Sequence, residues 1–252
     1  MLRFANPRLS VTRAPPSQVP ASPACNVTYT TMSSSDNALW QQCWREQQTD
    51  FHQKEVNRLL TRFWRGLDLA SGSRVFVPLC GKSLDMLWLA QQGHEVIGLE
   101  LSPIAVRAFF RENHLLVSQR KFGQFTLWQS GKISILCGDY FCASRADLGH
   151  IDVVYDRAAL TALPEDIRRL YVAHLKVILP ATCKVFLLTV EDADEGETRE
   201  VTLGASAEIT ALYAGAFEIE LAHVESVLEP ASDHAGGIAK CSEHKVYRLI
   251  PR

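Results

Sequence analysis

The 252-residue sequence has no apolar run that could span a bilayer; Gly, Pro or a charged residue interrupts each one within about ten residues. It has no strong excess of either charge. Lys and Arg number 26 against 28 Asp and Glu, a formal balance of −2, which gives no broad electrostatic reason to bind nucleic acid or an anionic membrane. Neither a CxxC pair nor an HExxH string occurs, and the eight histidines are dispersed. The seven cysteines are an odd number scattered through apolar segments, which argues for reduced thiols in the cytoplasm and against a disulfide framework or a bound metal.

Two nucleotide signatures are missing as well. The turn Pro78-Leu79-Cys80-Gly81-Lys82-Ser83 ends like a phosphate loop, but the glycine that such a loop needs five places before Gly81 is Phe76. No GxGxxG dinucleotide pattern is present either. A P-loop hydrolase and an ordinary dehydrogenase are therefore poor fits.

What is present is an ordinary globular composition, 47% hydrophobic and 21% charged, with enough length for one large domain. The first 31 residues stand apart. They carry Arg3, Arg8 and Arg13, no acidic residue, and the Pro-rich stretch 14–23. Such a segment cannot bury enough surface to order itself. We read 1–31 as a disordered extension, preceding a single domain over 32–252 whose own start is marked by Met32. An Arg-rich, acid-free N-terminus also invites the reading of a transit peptide, but the prolines spoil the amphipathic helix that one needs. Without the arm, 23 basic residues face all 28 acidic ones, so the body is near −5.

From residue 74 the chain alternates between two periodicities. Strands are expected at 74–79, 96–101, 152–156 and 184–190, and helices at 82–92, 103–113 and 164–178. Ser102-Pro103 supplies an N-cap followed by Pro at the first helical position. The segments 125–128 and 133–137 read as a hairpin around Ser130-Gly131. A helix over 205–214 and an antiparallel pair, 217–228 with 245–250, complete the pattern. Alternation of this kind predicts an α/β fold, a mostly parallel sheet with helices on both faces, binding its ligand beyond the strand carboxyl ends.

The strand ends carry the candidate site. Glu100 ends the second strand nineteen residues after Gly81, where a carboxylate can accept from both hydroxyls of a ribose; a solvated carboxylate is the simpler alternative. Asp139 and Tyr140 follow the third strand and offer an acceptor beside a ring, suited to a nucleoside base or merely to a polar turn. Trp40 and Trp44, four apart, share a helix face that either covers a ligand or packs on the sheet. Arg157 can meet a carboxylate or an anionic substrate, or else pair with Asp156 or Glu165.

Together these pieces resemble the thiopurine S-methyltransferase family of the bacterial type. The likeness runs from Trp40 to about Val190, through Trp40-x-x-x-Trp44, Phe51-His52-Gln53, the string from Val77 to Met86, Gly93-His94-x-Val96-Ile97-Gly98-Leu99-Glu100-Leu101-Ser102, and Tyr155-Asp156-Arg157-Ala158-Ala159-Leu160. The resemblance implies a Rossmann-like, S-adenosylmethionine-dependent methyltransferase acting on a small thiol or a selenium- or tellurium-type nucleophile. It also implies that Trp40 and Trp44 cover the cofactor, that Leu79 and Gly81 form its first loop, and that Glu100 takes the ribose. Asp139 and Tyr140 would lie at the adenine, Arg157 near cofactor and acceptor, and Phe51 at the acceptor. No general base is nominated. The expected state is a monomer without nucleic-acid, membrane or metal partners. An O- or N-methyltransferase and a non-catalytic cofactor-binding protein are the alternatives. The likeness fades after Val190, where five Asp and Glu fall within 191–197 and the family's Pro-rich loop is absent. If that run borders the pocket, it disfavours strongly anionic acceptors.

A protein beginning at Met32 should keep its melting temperature and its turnover. A fall of many degrees in thermal denaturation would show that residues 1–31 dock on the body.

Overall fold

In the computed structural model, which describes residues 34–49, 52–192, 206–229 and 240–252, short apolar runs become strands that are buried on both faces. Strand β1 (Arg74–Pro78) turns Val75 and Val77 to one side and Phe76 to the other, following the two-residue period of a pleated strand. The same alternation splits β6 (Val153–Arg157) and β7 (Lys184–Asp192): Val153, Tyr155, Phe186 and Leu188 join Val75 and Val77, whereas Val154, Val185 and Leu187 join Phe76. Apolar residues on both faces demand a helical layer on each side.

One layer is built from α2 (Arg58–Phe63), the following 3-10 turn Trp64–Leu67, α3 (Asp85–Gln91) and α4 (Pro103–Glu112). It buries Leu60, Trp64, Met86, Leu89, Phe109 and Phe110 against the sheet. Trp64 sits at its centre, edge-on to Tyr155 and Phe186, with its indole N–H donating to His94 Nε2 at 3.0 Å. The other layer contains α7 (Glu165–Ile178) and α8 (Ala207–Tyr213), which bury Tyr171, Leu175, Ile209 and Tyr213.

The remaining elements are α1 (Ser34–Arg45), β2 (Glu95–Glu100), β3 (Ser118–Phe122), β4 (Phe125–Ser130), β5 (Ile133–Cys137), α5 (Arg145–Leu148), α6 (Ala159–Ala162), β8 (Phe217–Glu229) and β9 (Lys240–Pro251). The nine strands of the described residues form one sheet in the order β3-β4-β5-β2-β1-β6-β7-β9-β8. The five central strands, β5 to β7, are mutually parallel, and the pairs at both edges are antiparallel. From β1 the chain winds outward first through β2 to β5, then returns to lay β6 and β7 on the other side. The strand order therefore switches between β1 and β6, which opens a crevice at their carboxyl ends.

The sequence pattern locates these elements with small shifts. The helix expected from Lys82 starts at Asp85, because Lys82–Leu84 is spent on a turn in which Ser83 N–H donates to the Cys80 carbonyl. The expected hairpin forms as β4 and β5, with Gly131 in the left-handed region at φ 54°. Strand β3 was not expected: its Ser118-Gln119-Arg120-Lys121 face is exposed and gives no apolar alternation. The charged side chains suit a strand at the open edge of a sheet.

Gly98 of β2 lies under the turn after β1, and a methyl group there would stand 2.7 Å from Cys80 Sγ and 3.1 Å from Met86 Sδ. Gly98→Ala should cost roughly 1–3 kcal/mol through this overpacking. The cost should shrink markedly in a Cys80→Ala background, which removes the nearer sulfur; urea denaturation of the single and double variants measures the difference.

Candidate active site

The crevice is built first by the turn after β1. Leu79 (φ 46°) and Gly81 (φ 54°) both hold left-handed backbone conformations, which is uncommon for a leucine and easy for a glycine. Cys80 N–H donates to the Leu99 carbonyl, continuing the ladder to β2. Gly81 meets a second demand, since a side-chain carbon there would lie 3.2 Å from the Trp44 ring. Trp44 is nearly buried, and with the half-buried Trp40 it lines the crevice from the α1 side. The pair shares a helix face, as its spacing predicts.

Glu100 closes the loop from the β2 side. Only 6% exposed, it accepts from Gly81 N–H at 2.9 Å through one oxygen and from Ser102 N–H at 2.7 Å through the other. Burial raises its pKa, and these backbone donors oppose the rise. Each carboxylate oxygen has a second lone pair, so Glu100 keeps acceptor capacity where it lines the crevice. It is not a solvated strand end.

Asp139 and Tyr140 line the next stretch, after β5. Asp139 caps the 3-10 turn Tyr140–Cys142 by accepting from Phe141 N–H at 2.9 Å. Its second oxygen accepts from the Asn37 side chain at 3.0 Å, tying α1 to the sheet. Tyr140 is deeply buried, and its hydroxyl is spent on the Tyr171 carbonyl at 3.1 Å. Tyr171 in turn donates to Asp156 at 2.7 Å.

At the far end Arg157 pairs with neither Asp156 nor Glu165. Its Nε donates to Asp85 at 3.0 Å, and a terminal nitrogen reaches Ser83 Oγ at 3.5 Å. Lys82 and His52 line the crevice here too. Burial, reinforced by Lys82 and Arg157, lowers the His52 pKa and so favours a neutral imidazole. Phe51 lies outside the described residues, as do residues 193–197 of the acidic run and the side chains of Glu191 and Asp192. Both cations at this end carry a carboxylate partner: Lys82 pairs with Glu112 at 2.8 Å, and Arg157 with Asp85.

A family model described as thiopurine S-methyltransferase matches residues 35–251, nearly the whole described body. The chain belongs to the thiopurine S-methyltransferase family. It is 61% identical to a thiopurine S-methyltransferase of Stutzerimonas stutzeri over 218 residues, 86% of this chain and 92% of that one. It is 42% identical to one of Methylococcus capsulatus, over 85% of this chain and 97% of the relative. Among solved structures, an S-adenosylmethionine-dependent methyltransferase of Anabaena variabilis superposes with a TM-score of 0.55 at 16% identity, covering 86% of this chain and 95% of that one. The Burkholderia thailandensis 1,6-didemethyltoxoflavin-N1-methyltransferase, solved with S-adenosylhomocysteine, gives 0.53 at 13% identity over 85% and 87%. At such identities these two establish the fold alone. Family and fold agree on an S-adenosylmethionine-dependent methyltransferase.

In this family member the structure adds five polar residues at or behind the crevice that the sequence reasoning did not single out, Asn37, His52, Lys82, Ser83 and Asp85, and an apolar stretch that includes Ala158, Ala162 and Leu163. His52, Lys82, Ser83 and Asp85 lie inside the strings that carry the resemblance, yet no local pattern marks them. Asn37 precedes those strings, and its partner is 102 residues away.

Asp156, fully buried beneath the crevice floor, shows how the site taxes the fold. Burial pushes its carboxyl up to about 6, against the donors Tyr171 and Leu160 N–H. Between its ordinary value near 3.8 and about 6, the folded protein holds this proton more tightly than the unfolded chain. Its contribution to stability is therefore present below that window and is lost as pH rises through it. Asp156→Asn removes the titration. Relative to that variant, the wild type should lose roughly 2–3 kcal/mol between pH 4 and pH 7, read from urea denaturation across the range.

Proposed function

We propose that this protein transfers the methyl group of S-adenosylmethionine to the sulfur of a small thiol, thiopurines included, with selenium and tellurium nucleophiles as related acceptors. The observation that carries the reading is the junction of Trp44, Gly81 and Glu100 at the switch point of the sheet, next to the end that Arg157 and Lys82 line. Glycine at 81 lets backbone and indole close on one another, and a buried carboxylate with lone pairs to spare suits a diol. These residues fit a nucleoside sulfonium.

In this reading Trp40 and Trp44 cover the cofactor, and their ring faces attract its positive sulfur. Leu79 and Gly81 form the loop beneath it, Glu100 takes the ribose hydroxyls, and Asp139 and Tyr140 border the adenine. Tyr140 contributes ring surface only, because its hydroxyl is occupied by Tyr171. When bound, S-adenosylmethionine supplies a methyl group activated by the adjacent sulfonium. The chain's own part is to exclude water, orient the acceptor and hold its charge. Arg157, whose terminal nitrogens are largely uncommitted, stabilises an acceptor in its thiolate form. Alignment alone is worth up to ~7–11 kcal/mol in well-oriented cases, and displacement by a soft thiolate asks little more. Whether the acidic run 191–197 offsets this attraction for strongly anionic acceptors is part of the same reading.

The five free thiols among the described cysteines support a reducing cytoplasm. Among the described residues no helix is long and apolar enough to cross a membrane. We assign the protein to the cytoplasm as a monomer with a small-molecule acceptor and no nucleic-acid partner.

Glu100→Ala should weaken binding of S-adenosylhomocysteine by roughly 1.5–3 kcal/mol, the range for a hydrogen bond to a charged group, measured by calorimetry. Unchanged affinity would remove Glu100 from the site. Turnover is tested with a thiopurine, an aryl thiol, selenide and a phenol. Methylation of the phenol alone would favour an O-methyltransferase, and binding without turnover of any acceptor a non-catalytic protein.

A further inference from the structure

Asp85 is a buried carboxylate to which the reading above gives no task. It is 1% exposed at the start of α3, beneath the acceptor end of the crevice. Three donors from separate parts of the chain converge on it. Tyr155 OH donates at 2.8 Å and Arg157 Nε at 3.0 Å to one oxygen, and Asn57 N–H donates at 2.8 Å to the other. A buried carboxylate demands such partners, because an uncompensated one costs several kcal/mol. The arrangement goes further than satisfaction. Asp85 occupies Arg157 through Nε alone, and Ser83 Oγ reaches one terminal nitrogen only at the 3.5 Å limit. The guanidinium has five N–H donors, so its terminal fork is left to the crevice that Arg157 lines. Through Asn57 the same carboxylate anchors the end of segment 52–57, whose first residue, His52, lines that crevice as well.

We infer that Asp85 is the positioning residue of the acceptor site: it fixes Arg157 by Nε so that the terminal nitrogens face an anionic acceptor, and it docks the His52 segment against the same point. The inference rests on the methyltransferase reading for the identity of the acceptor, but not for the contact itself. Positioning and bare charge act in opposite directions. Asp85 adds a negative charge beneath the site, so on charge alone its removal would tighten an anionic acceptor. If it positions Arg157, its removal loosens the acceptor by freeing the guanidinium.

The test uses the full chain, 4-nitrothiophenol as an acceptor that is ionised at neutral pH, and S-adenosylhomocysteine as cofactor product. Asp85→Asn should raise the acceptor's dissociation constant, measured with S-adenosylhomocysteine saturating, by about tenfold, the lower end for a charge-assisted hydrogen bond. In turnover KM should rise by a similar factor while kcat changes little, and affinity for S-adenosylhomocysteine should stay within about twofold. Asp85→Glu keeps the charge but moves the oxygens by one methylene, and it too should weaken the acceptor. In nitrogen-15 spectra the Arg157 Nε–H should exchange slowly in the wild type and quickly in Asp85→Asn.

Unchanged or tighter acceptor binding in Asp85→Asn overturns the inference, as does an equal loss of S-adenosylhomocysteine affinity, which would mark a purely structural role. Should Asp85→Asn fail to fold, Asp85→Glu and the wild-type signal decide; a fast-exchanging Arg157 Nε–H in the wild type sinks the proposal without any variant. A wild type that binds S-adenosylhomocysteine but neither binds nor methylates thiols defeats the acceptor assignment. The exchange measurement then still tests the Asp85–Arg157 contact separately.

Discussion

The crevice depends on one carboxylate held between two backbone amides. Glu100 accepts from Gly81 N–H on one side and Ser102 N–H on the other, and so joins the turn after β1 to the start of α4. The buried charge needs both donors, and the Gly81 donor needs the left-handed turn at Leu79 and Gly81 to point where it does. Trp44 then closes on Gly81 because no side chain intervenes. Remove the carboxylate and the turn loses the group that holds it.

Glu100 is one of three buried carboxylates around the crevice, with Asp156 in β6 and Asp85 at the start of α3, and each is satisfied differently. Glu100 takes backbone donors and retains capacity for a ligand. Asp85 takes a tyrosine, an arginine and a backbone amide, and anchors Arg157 where it lines the crevice. Asp156 takes Tyr171 and Leu160 N–H, and its raised pKa shows that these do not fully compensate its burial. A fold optimised for stability alone would replace such groups with apolar ones of similar volume. Their retention where the strand order switches agrees with a site that needs fixed donors and acceptors more than it needs added stability. Of the three, Glu100 lines the crevice directly, while Asp85 and Asp156 lie behind it. On the α1 side, the Asn37–Asp139 bond and the closure of Trp44 on Gly81 tie the helix to the sheet.

Much of this was legible in the chain. The buried central strands were visible as apolar runs, the α4 cap as Ser102-Pro103, and the loop as an unusual string ending in Gly81-Lys82. Trp40 with Trp44, and Gly81 with Glu100, could be paired because helix period and strand-end spacing fix where neighbouring residues face. Strand β3 was not legible, because an exposed edge strand carries no burial pattern to read. The alternative partners weighed for Arg157, Asp156 and Glu165, are near it in sequence, whereas adjacent residues on a strand point to opposite faces. Asp156 turns toward Tyr171 in one layer, and Arg157 toward Asp85 in the other.

The sequence by itself determined the strand and helix alternation, the family, and the loop and strand end that line the crevice, since each is written in periodicity or in contiguous strings. Only the tertiary structure decided that Asp85 holds Arg157 across 72 residues, that Asn37 ties α1 to Asp139 across 102, and that the Tyr140 hydroxyl faces the core. The physical reason is directional. Burial of apolar area is nearly indifferent to partner and survives as a pattern along the chain. A hydrogen bond requires two particular atoms within about 3 Å at a fitting angle, and folding alone selects them.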